Sequence, residues 1–110
     1  MLFDTYASTR EPGSKKGKLP LIDINDSPNN VFASIKRYLQ DDEYTAVVIK
    51  EDYYDLFGIK DDFEVSFNVI NNNGKSLLQI SVYSEIKKGR VKKRLKLIYE
   101  EMLERFEKYL

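Results

Sequence analysis

Apolar and polar positions along the chain change period several times, and each change predicts an element. Phe63, Val65, Phe67 and Val69 alternate with Glu64, Ser66 and Asn68, the two-residue period of a half-buried strand. Leu78, Ile80 and Val82 alternate with Gln79, Ser81 and Tyr83 in the same way. Between them Asn71-Asn72-Asn73-Gly74 tolerates positive φ, so the two strands are predicted to form a hairpin. Upstream, Tyr44 to Ile49 (YTAVVI) is β-branched and continuously apolar, as expected of a strand buried on both faces. Leu19-Pro20-Leu21-Ile22-Asp23-Ile24 reads as another strand, with Pro20 placing its start near a sheet edge. Leu2, Phe3 and Tyr6 give residues 1–7 a short strand pattern as well.

Elsewhere the period is helical. Val31, Phe32, Ile35, Tyr38 and Leu39 share one face, so residues 28–40 are predicted to form an amphipathic helix. Asp26-Ser27 supplies its N-cap, and Pro28 suits the first helical position, where its missing N–H would be unpaired anyway. Residues 90–110 carry a second stripe: Leu95, Ile98, Tyr99, Met102, Leu103, Phe106, Tyr109 and Leu110. Asp52 to Gly58 is expected to make a helical turn, capped by Asp52 and ended by Gly58 in the left-handed conformation. The fold class is therefore α+β, with a small sheet of about four strands: an edge strand, a central strand and a β-hairpin. Both helices pack on one face, in the order β-α-β-β-β-α. Residues 7–18 (ASTREPGSKKGK) are polar and punctuated by Pro12, Gly13 and Gly17. Residues 1–18 are accordingly expected to be a flexible basic N-terminal arm, and 19–110 a single α+β domain.

Composition removes whole classes of chemistry. The chain of 110 residues, 42% apolar and 33% charged, fits one globular, soluble domain. No apolar run approaches the ~18 residues of a membrane span, so no membrane partner is expected. Met1-Leu2-Phe3-Asp4 does not read as a secretory signal, and the lack of cysteine fits a reducing compartment, so the expected location is cytoplasmic. Without His, Cys or Trp there can be no imidazole–thiolate zinc site, cysteine nucleophile or Ser-His-Asp relay. The five glycines, at 13, 17, 58, 74 and 89, form neither a dinucleotide nor a P-loop cradle. No cofactor is expected, and carboxylates, lysines and tyrosines are what remains for chemistry.

Charge changes the picture most. The total is zero, with 18 basic and 18 acidic residues, but the two signs are segregated. Residues 87–96 hold seven cations and no acid: Lys87, Lys88, Arg90, Lys92, Lys93, Arg94 and Lys96. Residues 41–64 hold nine acids against Lys50 and Lys60. The basic run opens the last helix, while Glu100, Glu101, Glu104 and Glu107 occupy its later half. That order opposes the helix macrodipole, and local rules broken without visible compensation point to function. Helix-start amides with a fork of Arg and Lys suit phosphate. Lys15, Lys16 and Lys18 of the arm could grip the same backbone, and Tyr83 could stack on an unpaired base. The plain alternative is a solvated helix face that pairs with the protein's own acidic segment.

Residues 44–82 also carry a family likeness. Val47-Val48-Ile49, then Leu56-Phe57-Gly58-Ile59, then Lys60-Asp61-Asp62 and the alternating Phe63 to Val69 follow one another in an order that resembles the AbrB-type swapped-hairpin transcription regulators. The resemblance implies a homodimer of interleaved hairpins that binds DNA. Two departures stand against it: Lys50 where the family has proline, and Glu51, Asp52 and Asp55 where it presents arginine. A metal nuclease is a third possibility, since Glu85-Ile86-Lys87 is an ExK triplet of the PD-(D/E)xK kind. Asp61 and Asp62 would lie across the hairpin from it, ready to share Mg²⁺.

Three function classes follow. The first is a non-enzymatic binding protein that takes nucleic acid through residues 87–96. The second is a protein–protein interaction module, homodimeric or with another partner. The third is the Mg-dependent nuclease.

Overall fold

The structure is a computed structural model that describes residues 6–9 and 19–107. Its elements run β1 (Tyr6–Ser8), β2 (Ile22–Ile24), α1 (Pro28–Asp41), β3 (Thr45–Lys50), β4 (Asp55–Lys60), β5 (Phe63–Asn72), β6 (Lys75–Tyr83) and α2 (Val91–Arg105). The strands form one antiparallel sheet in the order β1-β6-β5-β4-β3, with β2 also on β6, beside β1 along the same edge. Of the expected arm 1–18, Tyr6–Ser8 is held in the sheet as β1. Residues 1–5 and 10–18, including Lys15, Lys16 and Lys18, lie outside the described residues, as do Tyr109 and Leu110 of the second helical stripe.

The fold remains α+β, but the expected sheet of about four strands in the order β-α-β-β-β-α is corrected to six strands in the order β-β-α-β-β-β-β-α. The main source of the difference is Asp55–Lys60, whose first four residues fall within the expected helical turn Asp52 to Gly58. Only Glu51–Tyr53 winds into a 3₁₀ turn, and Tyr54, not Gly58, takes the left-handed conformation at φ 52°. Asp55–Lys60 is then extended, pairing with β3 on one side and β5 on the other. Alternation within it is real but masked by glycine: Leu56 and Gly58 face the core, while Phe57 and Ile59 face away. Because β4 takes the inner place, β3 is an edge strand among the described residues, and Val48 is 48% exposed. The expectation that YTAVVI is buried on both faces is therefore corrected too.

Two tight turns set the sheet's register. Asp61 and Asp62 both take positive φ between β4 and β5, and Asn73 and Gly74 do so between β5 and β6. Short polar residues and glycine tolerate this mirror-image turn, which matches the twist of paired strands. Register then places Val65 opposite Val82, Phe67 opposite Ile80 and Val69 opposite Leu78, all buried.

Both helices cover that apolar face. Ser27 caps α1 by accepting from the Asn30 amide at 3.3 Å, with Pro28 in the first turn. Val31, Phe32, Ile35 and Leu39 then bury against β4–β6, while α2 sends Val91, Leu95, Ile98 and Met102 onto β6 and β1. One continuous core results, and truncating a ring such as Phe67 to alanine would cost about 3–5 kcal/mol. Among the described residues no element covers the opposite face of the sheet, where Ser8, Phe57, Ser66 and Ser81 form one cross-strand row. No helix among the described residues is long and apolar enough to cross a membrane.

Candidate nucleic-acid interface

The basic run is positioned by the way β6 ends. Ser84 is buried, and its Oγ accepts from the Lys87 amide at 2.9 Å, turning the chain over the end of the sheet. Lys88–Arg90 forms a 3₁₀ turn, closed by the Arg90 amide donating to the Lys87 carbonyl at 2.9 Å, and runs straight into α2. Val91, fully buried, pins the start of the helix to the core. No side chain caps the helix and its first turn holds no acid, so its positive end is reinforced by cations rather than offset.

Those cations divide into two groups. Lys87 and Arg94 are partly buried and grip one ring. The Arg94 guanidinium carbon lies 4.6 Å, and the Lys87 Nζ 5.6 Å, from the centroid of Phe63. A ring's negative face favours a cation there by roughly 0.5–1 kcal/mol near a surface. Arg94 also reaches Asp61, with Nη2 3.5 Å from Oδ2. Lys88, Arg90, Lys92, Lys93 and Lys96 are exposed. Arg90, Lys93 and Lys96 make no ion pair among the described residues. A hollow of about 190 Å³ gathers Lys87, Arg90, Lys93 and Arg94 around Phe63 and Leu97. The segment is thus one basic surface, and internal pairing with the acidic segment is seen only at Arg94–Asp61 among the ion pairs formed by described residues.

Tyr83 is not part of that surface. It stands on the uncovered face of the sheet, paired across the strands with Glu64 and Tyr6. A hydrogen bond with Glu85 is the main cause holding its hydroxyl above the usual tyrosine range.

The acids of the nuclease possibility are likewise divided. Asp61 turns to Arg94 on the helical side, whereas Asp62 joins Glu64 and Glu85 in a second hollow with Ile59, Tyr83 and Ile86. Lys87 lies over Phe63, on the other side of the sheet from Glu64 and Tyr83. Among the described residues no three His, Cys, Asp or Glu side chains converge to hold a metal ion.

Sequence reasoning found the cations and set Asp62 across the hairpin from Glu85, which share the second hollow, but it missed Phe63 as the ring beneath the cations and Glu64 as the third acid of that hollow. Phe63 was legible only as the first core position of a strand. Its neighbour Asp62 belongs to a turn whose geometry brings Glu64 and Glu85 alongside. No family model, curated protein or solved structure matches this chain.

Proposed function

We propose that the protein is a non-enzymatic binding protein that takes the sugar–phosphate backbone of nucleic acid on the basic surface of residues 87–96. The supporting observation is the convergence of Lys87, Arg90, Lys93 and Arg94 on one hollow at the uncapped start of α2. Lys88, Lys92 and Lys96 extend the surface along the exposed side. Lys15, Lys16 and Lys18 of the arm are proposed to add contacts to the same backbone. Cations at this density favour a polyanion by displacing its condensed counterions. Contacts of this kind give affinity and orientation rather than choice of sequence. The reducing cytoplasm suits a chain with no cysteine.

The test is binding of fluorescently labelled duplex and single-stranded DNA at low salt to the wild type and to the Lys92→Glu/Lys93→Glu variant. Binding by the wild type and its loss in the variant is the expected outcome. Equal binding by both proteins would move the site elsewhere, and no binding by either would end the proposal.

A further inference from the structure

We infer that the end of the sheet where β6 passes into α2 is a self-complementary surface on which a second copy of this chain docks about a two-fold axis. The inference goes beyond phosphate binding but draws on the same cations, so a polyanion and a second copy would compete for them.

Two hollows of about 190 Å³ flank the Ser84–Lys87 connection. On the helical side are Lys87, Arg90, Lys93 and Arg94 around Phe63. On the uncovered side are Asp62, Glu64 and Glu85, with Ile59, Tyr83 and Ile86. Strand alternation separates them: Phe63 is buried in the core beneath the helices, and its neighbour Glu64 points to the opposite face. The chain therefore crosses the sheet's end from an acidic hollow at Glu85 to a basic one at Lys87, with Ile86 between.

Ile86 is 75% exposed, more than any other large apolar side chain described. Ile59 on the acidic side and Leu97 on the basic side are 41% and 47% exposed. An apolar centre rimmed by charge is the anatomy of a protein interface rather than of a solvated end. A two-fold interface brings the same patch together twice, so the patch must complement itself. With the axis lying in the plane of the sheet across the strand ends, each copy's helical side meets its partner's uncovered side. The basic hollow of each then faces the acidic hollow of the other, and the two Ile86 side chains meet near the axis. Both halves of the match lie side by side in this one chain, which is why a second copy is the occupant. The zero net charge adds no overall repulsion between copies.

Sedimentation velocity tests the inference without nucleic acid. The wild type should dimerise at low salt and dissociate as salt rises, and Ile86→Asp should weaken the dimer by roughly tenfold or more. Arg90→Glu/Lys93→Glu alone, and Glu64→Lys/Glu85→Lys alone, should each be monomeric, because the two substituted positions then face like charge and leave only Lys87 and Arg94, or only Asp62, to attract the partner hollow. Mixed, the two should form a one-to-one dimer, with far-UV circular dichroism checking that both are folded. A wild type that stays monomeric at the highest attainable concentration would overturn the inference. So would a wild-type dimer that either charge-reversed variant also forms on its own. Neither result touches DNA binding, which the anisotropy experiment decides separately.

Discussion

A methyl group placed on Gly58 would sit 2.9 Å from Cδ2 of Tyr44 and 3.2 Å from its Cβ, so that glycine is set by close approach rather than by an unusual φ. Gly58→Ala should therefore destabilise the protein by about 1–3 kcal/mol through overpacking, read as a lower urea midpoint. An unchanged midpoint would mean that Tyr44 moves aside freely. Tyr44 belongs to a small polar group inside the core. The Tyr38 hydroxyl donates to Glu101 Oε1 at 2.8 Å and lies 3.3 Å from the Tyr44 hydroxyl. Burial is the main cause pushing the Tyr38 hydroxyl well above its ordinary value of 10.0, with the hydrogen bond to Tyr44 next. In the unfolded chain the proton is lost first, near the ordinary value, so the unfolded state binds fewer protons at alkaline pH. The stabilisation from keeping Tyr38 neutral is thus complete below about pH 10 and is lost as pH rises above it. The melting temperature should fall above that pH, and Tyr38→Phe should make the fall shallower. An identical alkaline slope in the variant would contradict the assignment.

At the scale of elements, α1 and the hairpin were legible because each signal in them agreed. Ser27 and Pro28 mark the start of α1, its stripe keeps one face, and Asn73-Gly74 closes the hairpin with both φ positive. β4 was hidden because its sequence, DLFGIK, puts glycine where the alternation needs a core residue. Tyr44, fourteen residues upstream, fills that gap, and only tertiary structure shows it. α2 was legible as a helix, and its reversed charge order was legible as an anomaly. That anomaly has a measurable consequence. Lys93 is exposed in the first turn, near Arg90 and Arg94, where a carboxylate would suit both the macrodipole and its neighbours. Lys93→Glu should raise stability by about 0.3–1 kcal/mol while weakening DNA binding, with calorimetry and anisotropy read on the same sample. A variant that is less stable would show that Lys93 contributes to the fold and that the charge order is structural.

Across the whole molecule, the sheet's end separates the charges that composition alone cancels. The sequence showed seven cations in ten residues, but it could not show that four of them surround one ring. Nor could it show that Asp61 and Asp62, adjacent in one turn, go to opposite sides of the sheet. Those facts depend on positive φ at both aspartates and on the buried Ser84 that reverses the chain. The most direct check of the basic surface is the salt dependence of duplex DNA binding by the wild type, followed by anisotropy. About six phosphate contacts should weaken binding by roughly a thousandfold between 50 and 200 mM salt, as a straight line in log–log form. Affinity that stays flat across that range, or no binding at its low end, would show that these cations do not meet a phosphate backbone.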